Sequence, residues 1–164
     1  MQRMKKYTTD WKGLSIFFFG LAILYAAILF FQRNPSLGTR EIIIGLVAWL
    51  AFIGFGVLLM TVFSYALISG NTLKYVWLLF LRRTIDIDSI TDINDQPTFK
   101  VAKGQFRSLY IFYRDKTGET KWIEFRITIF PEKTLGKLIK DLKQINPRIE
   151  LNKYSQKLMD SASE

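Results

Sequence analysis

Two long stretches of this chain carry no charge, and they constrain its architecture more than any other feature. Residues 13–32 read GLSIFFFGLAILYAAILFFQ, with no Asp, Glu, Lys or Arg over 20 positions. At about 1.5 Å of rise per residue, a helix of that length crosses the roughly 30 Å hydrocarbon layer of a bilayer. A second charge-free run extends from Ile42 to Leu73. Both are expected to be transmembrane helices. A cleaved leader is the weaker reading of the first run, because its apolar stretch exceeds the usual length of about 7 to 15 residues and no small-x-small cleavage site follows.

The second run is about 48 Å long if wholly helical, more than a span requires. From Ser64 the text becomes SYALISGNTLKYVWLLF, with a Ser69-Gly70-Asn71 turn signal between β-branched and aromatic flanks. The helix is therefore expected to end near Phe63 and a strand to begin near Tyr65, which sets the following domain directly against the bilayer surface.

Lysine and arginine set the expected orientation. Arg3, Lys5, Lys6 and Lys12 precede the first span, only Arg33 and Arg40 flank the inter-helix turn Asn34-Pro35-Ser36-Leu37-Gly38, and Lys74, Arg82 and Arg83 follow the second. Both termini are expected in the cytoplasm, with the protein multi-pass in the plasma membrane. The spans hold no ionisable Asp, Glu, Lys or Arg, which argues against a lone-chain pump or proton relay. Gly20, Ala22, Ala26 and Ala27 in the first span and Gly45, Ala48, Ala51, Gly54 and Gly56 in the second permit close helix contact, within the hairpin or with a partner membrane protein.

The chain has no Cys and no His. Thiolate nucleophiles, disulfides, Cys/His zinc sites and histidine acid–base catalysis are thereby excluded. No phosphate-cradling glycine motif or carboxylate beside a nucleophile stands out, so no catalysis, cofactor or metal is expected. Asp86, Asp88, Asp92 and Asp95 cluster, but a calcium loop counted from Asp86 would need Gly and Glu where Thr91 and Pro97 stand.

Residues 64–150 read as an α+β domain. Strand character covers 65–69, 72–80, 83–88, 98–102, 108–114 and 121–128; the plainest hairpin joins Leu109–Arg114 to Lys121–Ile127 through Asp115-Lys116-Thr117-Gly118. A helix starts at Pro131 and stops before Pro147, with Leu135, Leu138, Ile139, Leu142 and Ile145 as its apolar stripe. Its opposite face carries Lys133, Lys137 and Lys140. Residues 1–12 are expected to be a cytosolic segment, 13–63 the hairpin (about 13–32 and 42–63), and 151–164 a flexible tail with too little apolar surface to fold alone.

A membrane hairpin followed by Tyr65, Leu67, Leu73, Ile85, Ile87, Ile90 and Ile93 at these spacings, then a closing amphipathic helix, resembles the two-span membrane proteins with a bacterial pleckstrin-homology-like domain. The resemblance implies a bent antiparallel β-barrel or sandwich of about seven strands closed by the C-terminal helix. It also implies a non-catalytic binding or scaffold role, with bacteriocin self-immunity or an accessory transporter subunit as alternatives. In the wider fold, phosphoinositide binding uses basic residues around the first hairpin turn; here that turn is Ser69-Gly70-Asn71 with only Lys74 near, which argues against it.

The candidate contacts with lipid or a protein partner are Arg82, Arg83, Lys100, Lys103, Arg107, Lys133, Lys137 and Lys140. Residues 70–164 hold 17 Lys+Arg against 12 Asp+Glu, a net +5 that suits an anionic inner leaflet. The aromatics Tyr110, Phe112, Tyr113, Trp122 and Phe125 sit among basic residues, but their core-like alternation and the membrane tether argue against nucleic acid.

Overall fold

A computed structural model describes residues 4–10, 15–16, 19–25, 39–77, 81–101, 104–127 and 129–162, and over them the chain is α+β. The first sheet is antiparallel in the order β1 (Lys5–Thr8), β2 (Tyr65–Ser69), β3 (Thr72–Trp77), β4 (Leu81–Asp86). A 3-10 turn at Ile87–Ser89 leads into the second sheet. That sheet contains β5 (Ile90–Val101), β6 (Gly104–Arg114), β7 (Thr120–Arg126) and β8 (Glu150–Leu151) in the order β7-β6-β5-β8, with β8 parallel to β5. The helices are α1 (Thr39–Phe63), α2 (Glu132–Ile145) and α3 (Lys153–Ser161).

Side-chain alternation explains how the layers close. In β7, Ile123 and Phe125 are buried while Trp122 and Arg126 lie outside. The Phe125 ring meets Tyr75 of β3 edge-on at 4.8 Å and Phe130, just before α2, at 5.2 Å, so both sheets and the helix share one core. Leu135, Leu138, Ile139 and Leu142 of α2 are fully buried in it, each contributing about 1.5–3 kcal/mol of apolar burial. Ile145, the last residue of the expected stripe and of the helix, is exposed.

The turns have local causes. Gly118 adopts φ +84° between β6 and β7, where the Asp115 carboxylate accepts from the backbone N–H of Thr117 (2.8 Å) and Glu119 (3.0 Å) and from the Lys121 ammonium. The Lys121 contact comes first, and with the turn bonds it holds the Asp115 carboxyl well below the usual range. The same contact raises the Lys121 ammonium.

Several expectations need correction. The N-terminal segment is not a mere flank: Lys5–Thr8 pairs antiparallel with β2, Thr8 opposite Tyr65, so everything from 9 to 64 is inserted between two neighbouring strands. The expected tail is not frayed: Glu150–Leu151 joins β5, and α3 packs on α2 with Leu158 buried, capped by Asn152, whose side chain accepts from the Ser155 N–H at 2.9 Å. The strands expected at 98–102 and 108–114 are the ends of a much longer hairpin, and the one expected at 83–88 starts at Leu81 and stops where Asp86 caps the 3-10 turn. The strand expected at 72–80 runs to Trp77, with 78–80 outside the described residues.

Residues 39–63 form one helix of 25 residues, and its stretch Ile43–Met60 is long and apolar enough to cross a membrane, with none of it buried inside the protein. It is the single such helix among the described residues. Of the first expected span, 15–16 and 19–25 are helical, and the rest lies outside the described residues. The Tyr25 ring packs at a tilt against Trp49 of α1, centroids 4.7 Å apart, and Ala22 is buried. The glycine approach expected between spans is not made among the described residues: nothing lies within 4 Å of a Cβ added at Gly20, Gly45, Gly54 or Gly56.

Candidate functional site

The polar face of α2 and the edge strand β1 together form a basic concave surface. Lys133, Lys137 and Lys140 recur at helical spacing and are all exposed, whereas the buried stripe occupies the other side of the helix. β1 runs beside α2, which brings Lys5 and Lys6 against Lys137, Lys140 and Asp141 around a depression of about 490 Å³. Lys133 stands one turn earlier on the same face, outside the depression.

Asp141 organises the floor. Its carboxylate accepts from Lys5 Nζ at 2.6 Å and from the Tyr7 hydroxyl. Tyr7 is buried, and burial first, then the bond to Asp141 and its negative charge, push the hydroxyl pKa well above its ordinary value. The phenol therefore stays a donor, and β1 is tied to α2 through one carboxylate. Lys6 points the other way along the strand, its ammonium 4.5 Å from the Tyr65 ring, the first residue of β2. Lys5, Lys137 and Lys140 thus stand around one acid that already has two donors, and Lys6 adds its charge at the border of the depression. Such a surface attracts anions.

The other expected contacts do not join this group. Arg82 and Arg83 lie on β4, the opposite edge of the first sheet, exposed, with Arg83 Nη1 donating to the Trp122 carbonyl at 2.8 Å. Arg107 pairs with Asp95 at 3.0 Å and lies 5.1 Å over the Tyr154 ring, so it fastens α3 to the β5–β6 hairpin. Lys100 lies on that hairpin opposite Gln105, and Lys103 is outside the described residues. One expected basic set is therefore three separate surfaces.

Lys5 and Lys6 entered the sequence reading only as orientation signals. Their place in the groove depends on pairing with residues about sixty positions away, although the Lys-Lys-Tyr-Thr run does have the aromatic and β-branched content of a short strand. The clustered aspartates serve the fold. Asp86 and Asp88 both accept from Asn71 Nδ2, at 2.7 and 2.6 Å, and Asp92 accepts from Thr91 Oγ1 at 2.8 Å. Asp95 takes Arg107 and Asn152.

No family model, curated protein or solved structure matches this chain.

Proposed function

We propose that this is a non-catalytic membrane protein that presents a pleckstrin-homology-like binding domain at the cytoplasmic face of the plasma membrane. Two helical spans are inserted between β1 and β2, both termini are cytoplasmic, and the β1–α2 groove takes an acidic segment of a protein partner. The observation that carries the reading is the pairing of Thr8 with Tyr65 on either side of the apolar insertion. With α1 in the bilayer, the sheet stands clamped at its end, and the groove lysines sit a few strand residues from an anionic leaflet that keeps competing cations near. The α+β architecture, two four-stranded sheets over one core covered by α2, supports the reading at the level of fold class.

The chain has no cysteine, so single-cysteine variants test topology in intact cells. Leu37→Cys should react with a membrane-impermeant maleimide from outside, whereas Thr117→Cys should react only after permeabilisation. External labelling at Thr117, or release of the chain by alkaline carbonate, would overturn the placement. A photo-crosslinker at Lys137 should form a protein adduct that is lost when Lys5, Lys6 and Lys140 are changed to Gln. No protein adduct, or one indifferent to those changes, would overturn the binding role.

A further inference from the structure

We infer that the seam between the edge strands β4 and β7 is a second contact with the bilayer, a wedge of apolar and aromatic side chains set into the headgroup layer beside α1 and collared by arginines. The inference rests on α1 spanning the membrane. Strand register sets its height. α1 ends at Phe63 and Ser64 leads directly to Tyr65, which pairs with Val76; the next residue, Trp77, pairs with Leu81. Trp77 and Leu81 therefore stand at the level where the helix leaves the bilayer. Val57 and Met60 of α1 pack on the same core as Trp77, so the apolar surface of the helix continues onto the sheet.

The side chains at this seam are poorly suited to water. Leu81 and Arg83 pair with Trp77 and Tyr75, so they share the inward face of the first sheet, yet Leu81 is 53% exposed. Trp122, across the seam on β7, is 55% exposed. Outside the apolar helices, the exposed large hydrophobic side chains among the described residues are Met4, Leu81, Trp122 and Ile145, and two of these meet here. With Trp77, Arg83, Glu124 and Arg126 they border a groove of about 240 Å³. The opening is held by the fold: Arg83 Nη1 donates to the Trp122 carbonyl at 2.8 Å and the Tyr75 hydroxyl donates to the Glu124 carbonyl at 3.0 Å.

Charge and scale choose the occupant. Arg83 and Arg126 border the groove with a single acid, Glu124, whose carboxylate lies 3.4 Å from Arg126 Nε. Guanidinium groups keep further donors for lipid phosphates. Arg83 is two strand residues, about 7 Å, beyond Leu81. That rise matches the roughly 5–7 Å polar layer of one leaflet, where tryptophan also prefers to sit. An anionic phospholipid surface satisfies the apolar and the basic parts of the seam together.

Nitroxide labels on Leu81→Cys, Thr117→Cys and Leu50→Cys, each in the full chain in phosphatidylglycerol nanodiscs, decide the matter by collision with oxygen, which concentrates in lipid, and with a water-soluble nickel chelate. Leu81→Cys should favour oxygen, less strongly than Leu50→Cys, while Thr117→Cys at the far turn should favour nickel. A label at 81 that behaves like the one at 117, or that meets neither reagent, overturns the inference while the membrane reading stands. A label at 50 that reports water overturns the membrane reading itself. Changing the exposed Arg126 to Gln should shift the label at 81 several-fold toward nickel, and an unchanged ratio would remove the arginine collar.

Discussion

Asn146 is a buried polar side chain that ties the end of α2 to the start of the second sheet. Its Nδ2 donates to the carbonyls of Ile87 (2.9 Å) and Ile90 (3.3 Å), and its Oδ1 accepts from the Arg148 N–H at 3.1 Å. Asn146→Ala would leave those groups unpaired in the interior, and a loss of about 2 kcal/mol is expected from urea unfolding in detergent; a loss near zero would mean that water replaces the amide. Tyr154 offers a pH test. Burial first, then the hydrogen bond to Glu132 and its charge, push the hydroxyl pKa up to about 12. A raised pKa means that the folded state holds the proton more tightly than the unfolded chain, whose tyrosines titrate near about 10. The associated stability is complete below about pH 10 and is lost as the pH rises through about 12. Circular dichroism should show the C-terminal helix loosening across that window, and Tyr154→Phe should remove this component; an identical profile in the variant would sink the assignment.

The docking of α3 on α2 depends on a residue that would otherwise weaken a helix. Glycine inside a helix costs about 1 kcal/mol relative to alanine, yet Gly136 sits in the buried middle of α2. A Cβ there would stand 2.1 Å from the Leu158 carbonyl oxygen and 2.7 Å from the Ala162 Cβ, so the backbone of α3 occupies the space a side chain would take. Gly136→Ala should therefore release α3 despite its better helix propensity, exposing Leu158 and opening 153–161 to proteolysis at neutral pH. Retention of the wild-type cleavage pattern would show that α2 can shift to accept the methyl group. The apolar positions of α3 alone, Tyr154, Leu158 and Met159, are too few to hold a free helix, which is why the same residues read as a tail when their partner surface is unknown.

At the scale of the whole molecule, the apolar segment is an insertion and the domain around it is made from both sides of that insertion. Replacing residues 9–64 with a two-residue Asn-Gly turn should yield a folded protein that stays in solution after ultracentrifugation, because Thr8 and Tyr65 already face each other across β1 and β2. The fragment 64–150 should be the less stable of the two. It lacks β1, which leaves Asp141 without Lys5 and Tyr7, and it lacks α3, which uncovers Gly136 and its neighbours. Equal stability of the two proteins, by thermal unfolding, would refute the joint origin of the domain.

What the sequence determined by itself is what short-range chemistry decides. The charge-free runs, the i, i+3, i+4 stripe and proline borders of α2, and the alternation around the Asp115–Gly118 turn are all written within windows of about thirty residues or fewer. The α+β class and most strand positions follow from those local signals. Only the tertiary structure decided that Lys5–Thr8 is a strand, that Lys153–Ser161 is a docked helix, and which basic residues share a surface. A four-residue strand has too little periodicity to announce itself, and its hydrogen bonds go to a partner beyond a long apolar insertion. The basic groove has the same origin: α2 supplies one wall from local periodicity, whereas the other wall exists only because the sheet closes on the far side of the helices.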